Sequence, residues 1–138
     1  PAGSVIGSTN KVWVDFETNG ATGGRVYVSS TNSGLYSSTV NHTISSATAN
    51  LASASSGFGA QGSTATQSSG GPLSIVTPYD GASDSVGVTD TTIREIFSSS
   101  NPITAGRGSF LLKAKSANTT PAAGDYVETL TVVASGSF

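Results

Sequence analysis

The sequence predicts an all-β fold: an immunoglobulin-like or jelly-roll sandwich of two sheets, open to completion by strand exchange. Three observations predict it. Short apolar stretches alternate with period two, as in Val12, Val14 and Phe16 against Trp13, Asp15 and Glu17. Turn residues punctuate the chain throughout, with 17 glycines and 5 prolines set among Asn and Asp. Ser and Thr supply roughly a third of the residues and disfavour long helices, because their hydroxyls compete for backbone hydrogen bonds. Many short strands between frequent turns form two packed layers.

The elements follow in order. Residues 1–10 are small and polar around Val5-Ile6 and read as an arm or donor segment; residues 11–138 read as one β-sandwich domain. Lys11–Thr18 and Arg25–Ser30 are strands, the second with Val26 and Val28 inward. The Asn19-Gly20 turn between them predicts a hairpin. Leu35-Tyr36 and Val40–Ile44 are short strands. Ala47–Ala54 reads as irregular, Gly57–Ala60 as a brief buried contact, and the Ser/Thr/Gln/Gly stretch Gly62–Gly71 as an exposed loop. Leu73–Thr77 is a strand ended by Pro78, and Tyr79–Thr92 a long loop. Thr92–Phe97 fits a helical turn or a strand. Gly108–Lys115 alternates Phe110, Leu112 and Ala114 against Leu111, Lys113 and Lys115. The turn at Asn118–Asp125 leads into a long final strand from Tyr126 to Phe138. No internal repeat or domain boundary interrupts the series.

Only 10% of residues are charged and the net charge is −2, so the basic footprint of a nucleic-acid binder is missing. No apolar run approaches the length of a membrane span, which makes membrane insertion an unexpected property. With no cysteine, thiolate catalysis, thiolate metal sites and disulfides are excluded. The hydroxyl-rich, charge-poor surface is the kind found on secreted proteins and points to an extracellular or cell-surface location.

Catalytic signals are weak, and the chain is not read as an enzyme. His42 is the one histidine, and no Gly-x-Ser-x-Gly elbow accompanies the many serines. Asp15 and Glu17 share a strand face at a spacing that a glycosidase pair could use, but any solvated strand gives the same spacing. No cofactor is expected. Calcium is the one metal the chemistry permits: Asp80, Asp84 and Asp90 fall in one long loop, in a spacing unlike an EF-hand. Trp13 with Tyr27 and Tyr36 offers a sugar-stacking platform as an alternative to ordinary packing. Asn41-His-Thr43 and Asn118-Thr-Thr120 fit the N-glycosylation pattern.

The segment Thr120-Pro-Ala-Ala-Gly-Asp-Tyr-Val-Glu-Thr-Leu-Thr-Val132, followed by a terminal Phe138, resembles the last hairpin of archaic chaperone–usher pilins and of the related spore coat protein U domain. Lys113-Ala-Lys115 resembles the strand before it. The resemblance covers the last thirty or so residues. The chain departs from it in having no disulfide and only Val5-Ile6 as an apolar pair in its arm.

The resemblance implies a pilin-like subunit of an extracellular filament, or fimbrium. Such a subunit polymerises head-to-tail by donating a strand to its neighbour. The donor is either the N-terminal arm through Phe16 or the C-terminal strand from Tyr126; the arm is favoured, with Val5, Ile6, Val12, Val14 and Phe16 as subunit contacts. Copies of the chain are then the main partner, with surface glycans or an assembly chaperone as further ones. The alternative expectation is a monomeric or surface-layer sandwich that binds carbohydrate or mediates adhesion.

Overall fold

The computed structural model describes residues 2–137. Sequence expectations that rest on Pro1 and Phe138, the start of the arm and the terminal aromatic, lie outside the described residues. Within them the regular elements are all strands: β1 (Val5–Gly7), β2 (Val12–Thr18), β3 (Gly24–Ser30), β4 (Gly34–Ser37), β5 (His42–Ser45), β6 (Ala49–Asn50), β7 (Gly57–Thr66), β8 (Ser69–Gly70), β9 (Ser74–Ile75), β10 (Ser85–Val86), β11 (Arg94–Ser99), β12 (Ile103–Lys115) and β13 (Leu130–Gly136).

The long strand β12 is the spine of the first sheet. One of its edges carries β2 and β1 end to end, with Val14 opposite Gly108, Phe16 opposite Gly106 and Val5 opposite Lys115. The other edge carries β7 and then β8. The second sheet has the order β13-β3-β11-β9, all antiparallel. Two small ladders, β4–β5 and β6–β10, complete the pairing.

The two sheets share one core. Phe16, Ala60, Ile103 and Phe110 enter it from the first sheet, and Val26, Val28, Ile96 and Phe97 from the second. Phe97, Phe110 and Ile96 have no exposed surface. The period-two pattern of the sequence is therefore real: Phe16 is buried and Val14 packs on the core, while Trp13, Asp15 and Glu17 face outward. Val12 at the start of β2 is already 37% exposed, because the core thins toward that end.

Several expectations are corrected. β2 and β3 do not form a hairpin. Residues 19–23 carry the chain from the first sheet to the second, so β2 pairs with β12 and β3 with β13 and β11. The tight turn lies two residues later than the Asn-Gly pair, at Ala21-Thr22, and Phe16 and Val26 bury themselves from opposite layers. Gly23 stands at φ +74° and donates its N–H to Gly20 O at 2.9 Å, a conformation that favours glycine.

The supposed contact at Gly57–Ala60 and loop at Gly62–Gly71 are β7 and β8, a nearly continuous edge of β12. Their low-complexity side chains concealed this, because a ladder needs backbone groups and not apolar side chains. Gly59 shows what small residues achieve here: a Cβ on it would lie 2.6 Å from Gly87 O.

The final strand is also shorter than expected. It begins at Leu130, and Val127 instead bridges Tyr36 through N–H···O bonds of 2.9 Å in both directions. The arm is no free tail either: β1 lies on β12 in three residue pairs, Val5–Lys115, Ile6–Ala114 and Gly7–Lys113.

Candidate functional site

Three features stand out, all products of how the sheets end. The first is a contrast between the two flanks of the sandwich. On one flank, loops close the outer edge of β7. Ala60 and Gly87 exchange N–H···O bonds of 3.0 and 2.8 Å, and Gly62 N–H donates to Tyr79 O at 2.7 Å. The Gln61 side-chain nitrogen lies 2.9 Å from the carbonyl oxygens of Gly81, Ser83 and Ser85. Tyr79 is buried beneath this flank, its hydroxyl donating to Val88 O at 2.6 Å, and burial pushes its pKa up to about 12.

On the other flank lie the outer edges of β2 and β13. Among the described residues no strand pairs with either outer edge. The two edges belong to opposite sheets and come together near Gly24, whose Cβ position lies within 2.3 Å of the Phe16 ring and 2.6 Å of Ser135 O.

The second feature is an apolar groove of about 580 Å³ at the end of the sandwich where β12 reaches Lys115. Leu35, Ile44, Phe58, Leu112 and Tyr126 line it, and Ile6 of the arm forms part of its rim. Ile6 is 56% exposed there, so the arm covers the groove without filling it.

The third feature is a pair of carboxylates that strap the segment before β13 onto the two turns that flank β4. Asp125 accepts from the hydroxyls of Ser37, Ser38 and Thr39 and from Thr39 N–H, the last at 3.0 Å. The Ser37 hydroxyl and the Thr39 N–H, by favouring the charged form, hold the Asp125 carboxyl well below the usual carboxylate range. Glu128 accepts from the N–H groups of Thr31 at 3.2 Å, Asn32 at 3.0 Å and Gly34 at 2.9 Å. Sequence reasoning missed both anchors. The available signal was a lone acidic residue on each side of Tyr126-Val127, facing a Ser/Thr-rich turn that lies far away in sequence.

The sequence-derived metal candidates do not converge. Asp80 accepts from the Thr77 hydroxyl at 2.8 Å, and Asp84 pairs with Lys113 at 3.3 Å. Asp90 forms a two-pronged pair with Arg94, at 2.9 and 2.7 Å. The Arg94 guanidinium lowers the Asp90 pKa, and Asp90 raises that of Arg94. Among the described residues no cluster of three His, Asp or Glu side chains could hold a metal ion.

Asp15 pairs with Arg107 at 3.3 Å, and Glu17 accepts from Ala105 N–H at 2.8 Å; both line an open depression of about 440 Å³ with Ala105, Gly106 and Arg107. His42 stands edge-on to Tyr126, with ring centroids 6.3 Å apart. The three aromatic residues of the sugar-platform reading are dispersed over β2, β3 and β4. Trp13 itself lies under the Arg107 guanidinium, 4.6 Å from its ring centroid.

Of the candidate subunit contacts, Phe16 and Val14 belong to the core region of their own chain. Val5, Ile6 and Val12 are at least partly exposed. No helix among the described residues is long and apolar enough to cross a membrane. Comparison with family models, curated proteins and solved structures gives no match.

Proposed function

We propose that this chain is a structural subunit of an extracellular filament, assembled by exchange of the N-terminal arm between copies of an immunoglobulin-like sandwich. The observation that carries the reading is the short seat of the arm: three residue pairs of β1, flanked by Gly3 N–H donating to Ser116 O and Ser8 N–H to Leu112 O, both at 2.8 Å, with Ile6 mostly exposed and an apolar groove left half-open beside it. Any contact a chain makes with its own arm is available to the arm of an identical neighbour. Ser8 continues the seat through Leu112, and the polar residues 9–11 between it and β2 serve as the hinge. Ten arm residues reach about 33 Å when extended, enough to leave one molecule and enter the next.

Val5 and Ile6 are then the working contacts, while Val12 stays on β2 opposite Phe110 of its own chain. In the exchanged form the neighbour's Val5 and Ile6 lie along Lys115 and Ala114 of β12, and the groove beside them takes apolar side chains at alternate positions. Serial exchange from each copy to the next is heterologous and yields a filament; reciprocal exchange closes a dimer. Catalysis plays no part in the proposal, which needs neither cofactor nor metal.

Removing residues 1–10 tests the reading. The truncated protein is expected to stay folded by circular dichroism and to form no filaments in electron micrographs. Normal filaments from the truncated protein would overturn it, and a discrete exchanged dimer from the full chain would replace the filament with a closed assembly.

A further inference from the structure

We infer that the outer edge of β13 is a second self-association surface, on which two copies of the chain pair antiparallel about a two-fold axis through Val133. The inference does not rest on arm exchange, because β1 and β13 belong to different sheets.

The backbone defines the edge. Thr31 N–H donates to Thr129 O at 3.2 Å, and Ser137 N–H donates to Gly23 O at 2.8 Å. These bonds bracket β13 and fix its phase. Odd-numbered residues turn their main-chain groups toward β3, so Leu130, Val132, Ala134 and Gly136 present theirs outward. The pairing with β3 runs without a bulge from Leu130 to Gly136. The result is a seven-residue template without a bulge, whose outward main-chain groups meet no strand among the described residues.

Open edges in folded proteins are usually blunted by charge, proline, bulges or covering loops. Three other edges among the described residues follow that rule. Loops bond to β7, and β9 is two residues long. β2 carries Asp15 and Glu17, and antiparallel pairing of β2 with itself about its centre would set Asp15 against Asp15. β13 reads Leu-Thr-Val-Val-Ala-Ser-Gly and has none of these guards.

Self-pairing of β13 fits a second copy of the same strand. With the axis at Val133, Val132 faces Ala134, Leu130 faces Gly136, and Thr131 faces Ser135. Every outward group then meets a complementary one, and no charges oppose each other. The two Val133 side chains, each 52% exposed in the single chain, come into contact in a non-hydrogen-bonded pair, the closer of the two antiparallel pair types. The strand is short and the contact weak on its own. It gains from repetition where many copies are already held in line.

The chain has no cysteine, so disulfide trapping reports this geometry against a clean background. Under mild oxidation of the full-length protein, Val133→Cys is expected to give a covalent dimer. Thr131→Cys alone is expected to stay monomeric but to cross-link with Ser135→Cys in a mixture. In the unaltered protein, exchange of the Val132 and Ala134 amides with solvent is expected to slow as concentration rises. Equal cross-linking by Val133→Cys and Thr131→Cys, or exchange at Val132 and Ala134 that ignores concentration, overturns the inference. Cross-linking of Val133→Cys to Ile6→Cys in preference to itself also overturns it, and names the neighbour's arm as the occupant.

Discussion

The two flanks of the sandwich are built from the same two sheets and end differently. On the β7 flank the chain spends its own loops on the edge: Ala47, Tyr79 and Gly87 supply backbone partners, and Gln61 holds the loop above them. On the β2–β13 flank it supplies none among the described residues. The polar groups exposed there must be met by water or by another molecule. The contrast separates an edge the chain satisfies by itself from edges left open to solvent or to another molecule. Burial follows the same division, with Tyr79 at 1% exposure on the closed side and Val133 at 52% on the open one.

Substitutions on the two flanks should therefore have opposite signatures. The largest expected effect is Tyr79→Ala on the closed flank, which removes a buried ring and its bond to Val88 O. It should cost about 3–5 kcal/mol in denaturant unfolding, and a loss under about 1 kcal/mol would mean that the loop cover is not structural.

Next comes the carboxylate strap. The Asp125 pKa is lower in the folded chain than the unfolded value of about 3.9. Its contribution to stability is therefore complete above that value and is lost as pH falls from about 4 toward the folded pKa. Asp90, also shifted down, adds in the same direction. The melting temperature should fall with pH in that window, and Asp125→Asn should flatten the fall. An unchanged slope in the variant would remove Asp125 from the strap.

Smaller still is removal of residues 1–10, expected to cost no more than about 1–2 kcal/mol, because three residue pairs, the flanking Gly3 and Ser8 bonds and a mostly exposed Ile6 hold the arm with little apolar burial. A greater loss would make the arm part of the fold and not a transferable piece. The smallest change in folding stability should come from Val133→Lys on the open flank, within about 0.5 kcal/mol of the parent. The same change should abolish concentration-dependent pairing, since it sets two ammonium groups face to face across the axis.

How much of this was legible in the sequence depended on what each residue had to do. Val12–Phe16, Val26–Val28 and Phe110–Leu112 declared themselves because alternate side chains had to reach one core. The β2–β3 connection was misread because the Gly-rich stretch at residues 19–24 signals a turn, here made at Ala21-Thr22, and nothing local says whether a turn stays within a sheet or crosses between sheets. β7 was hidden because its Gly, Ser and Thr residues join the ladder through the backbone alone. The groove and the strap were invisible for a different reason. Phe58, Ile44 and Leu112 line one space only after three distant segments meet, and Asp125 finds its hydroxyl partners more than eighty residues earlier in the chain. The open edge of β13 could be read in part: its uncharged Thr/Val run was visible, but which of its main-chain groups face outward required the register with β3.

The central claim is that the arm seated on its own β12 in the single chain sits on a neighbour's β12 in the assembly. Val5 and Lys115 are directly opposed in that seat, at a separation antiparallel strands share with disulfides. The double variant Val5→Cys/Lys115→Cys, oxidised after assembly and run on a denaturing gel, is the most direct test. The account predicts a ladder of covalent multimers from filaments and an internal disulfide from dilute monomer. Filaments in which every disulfide closes within one chain would contradict it.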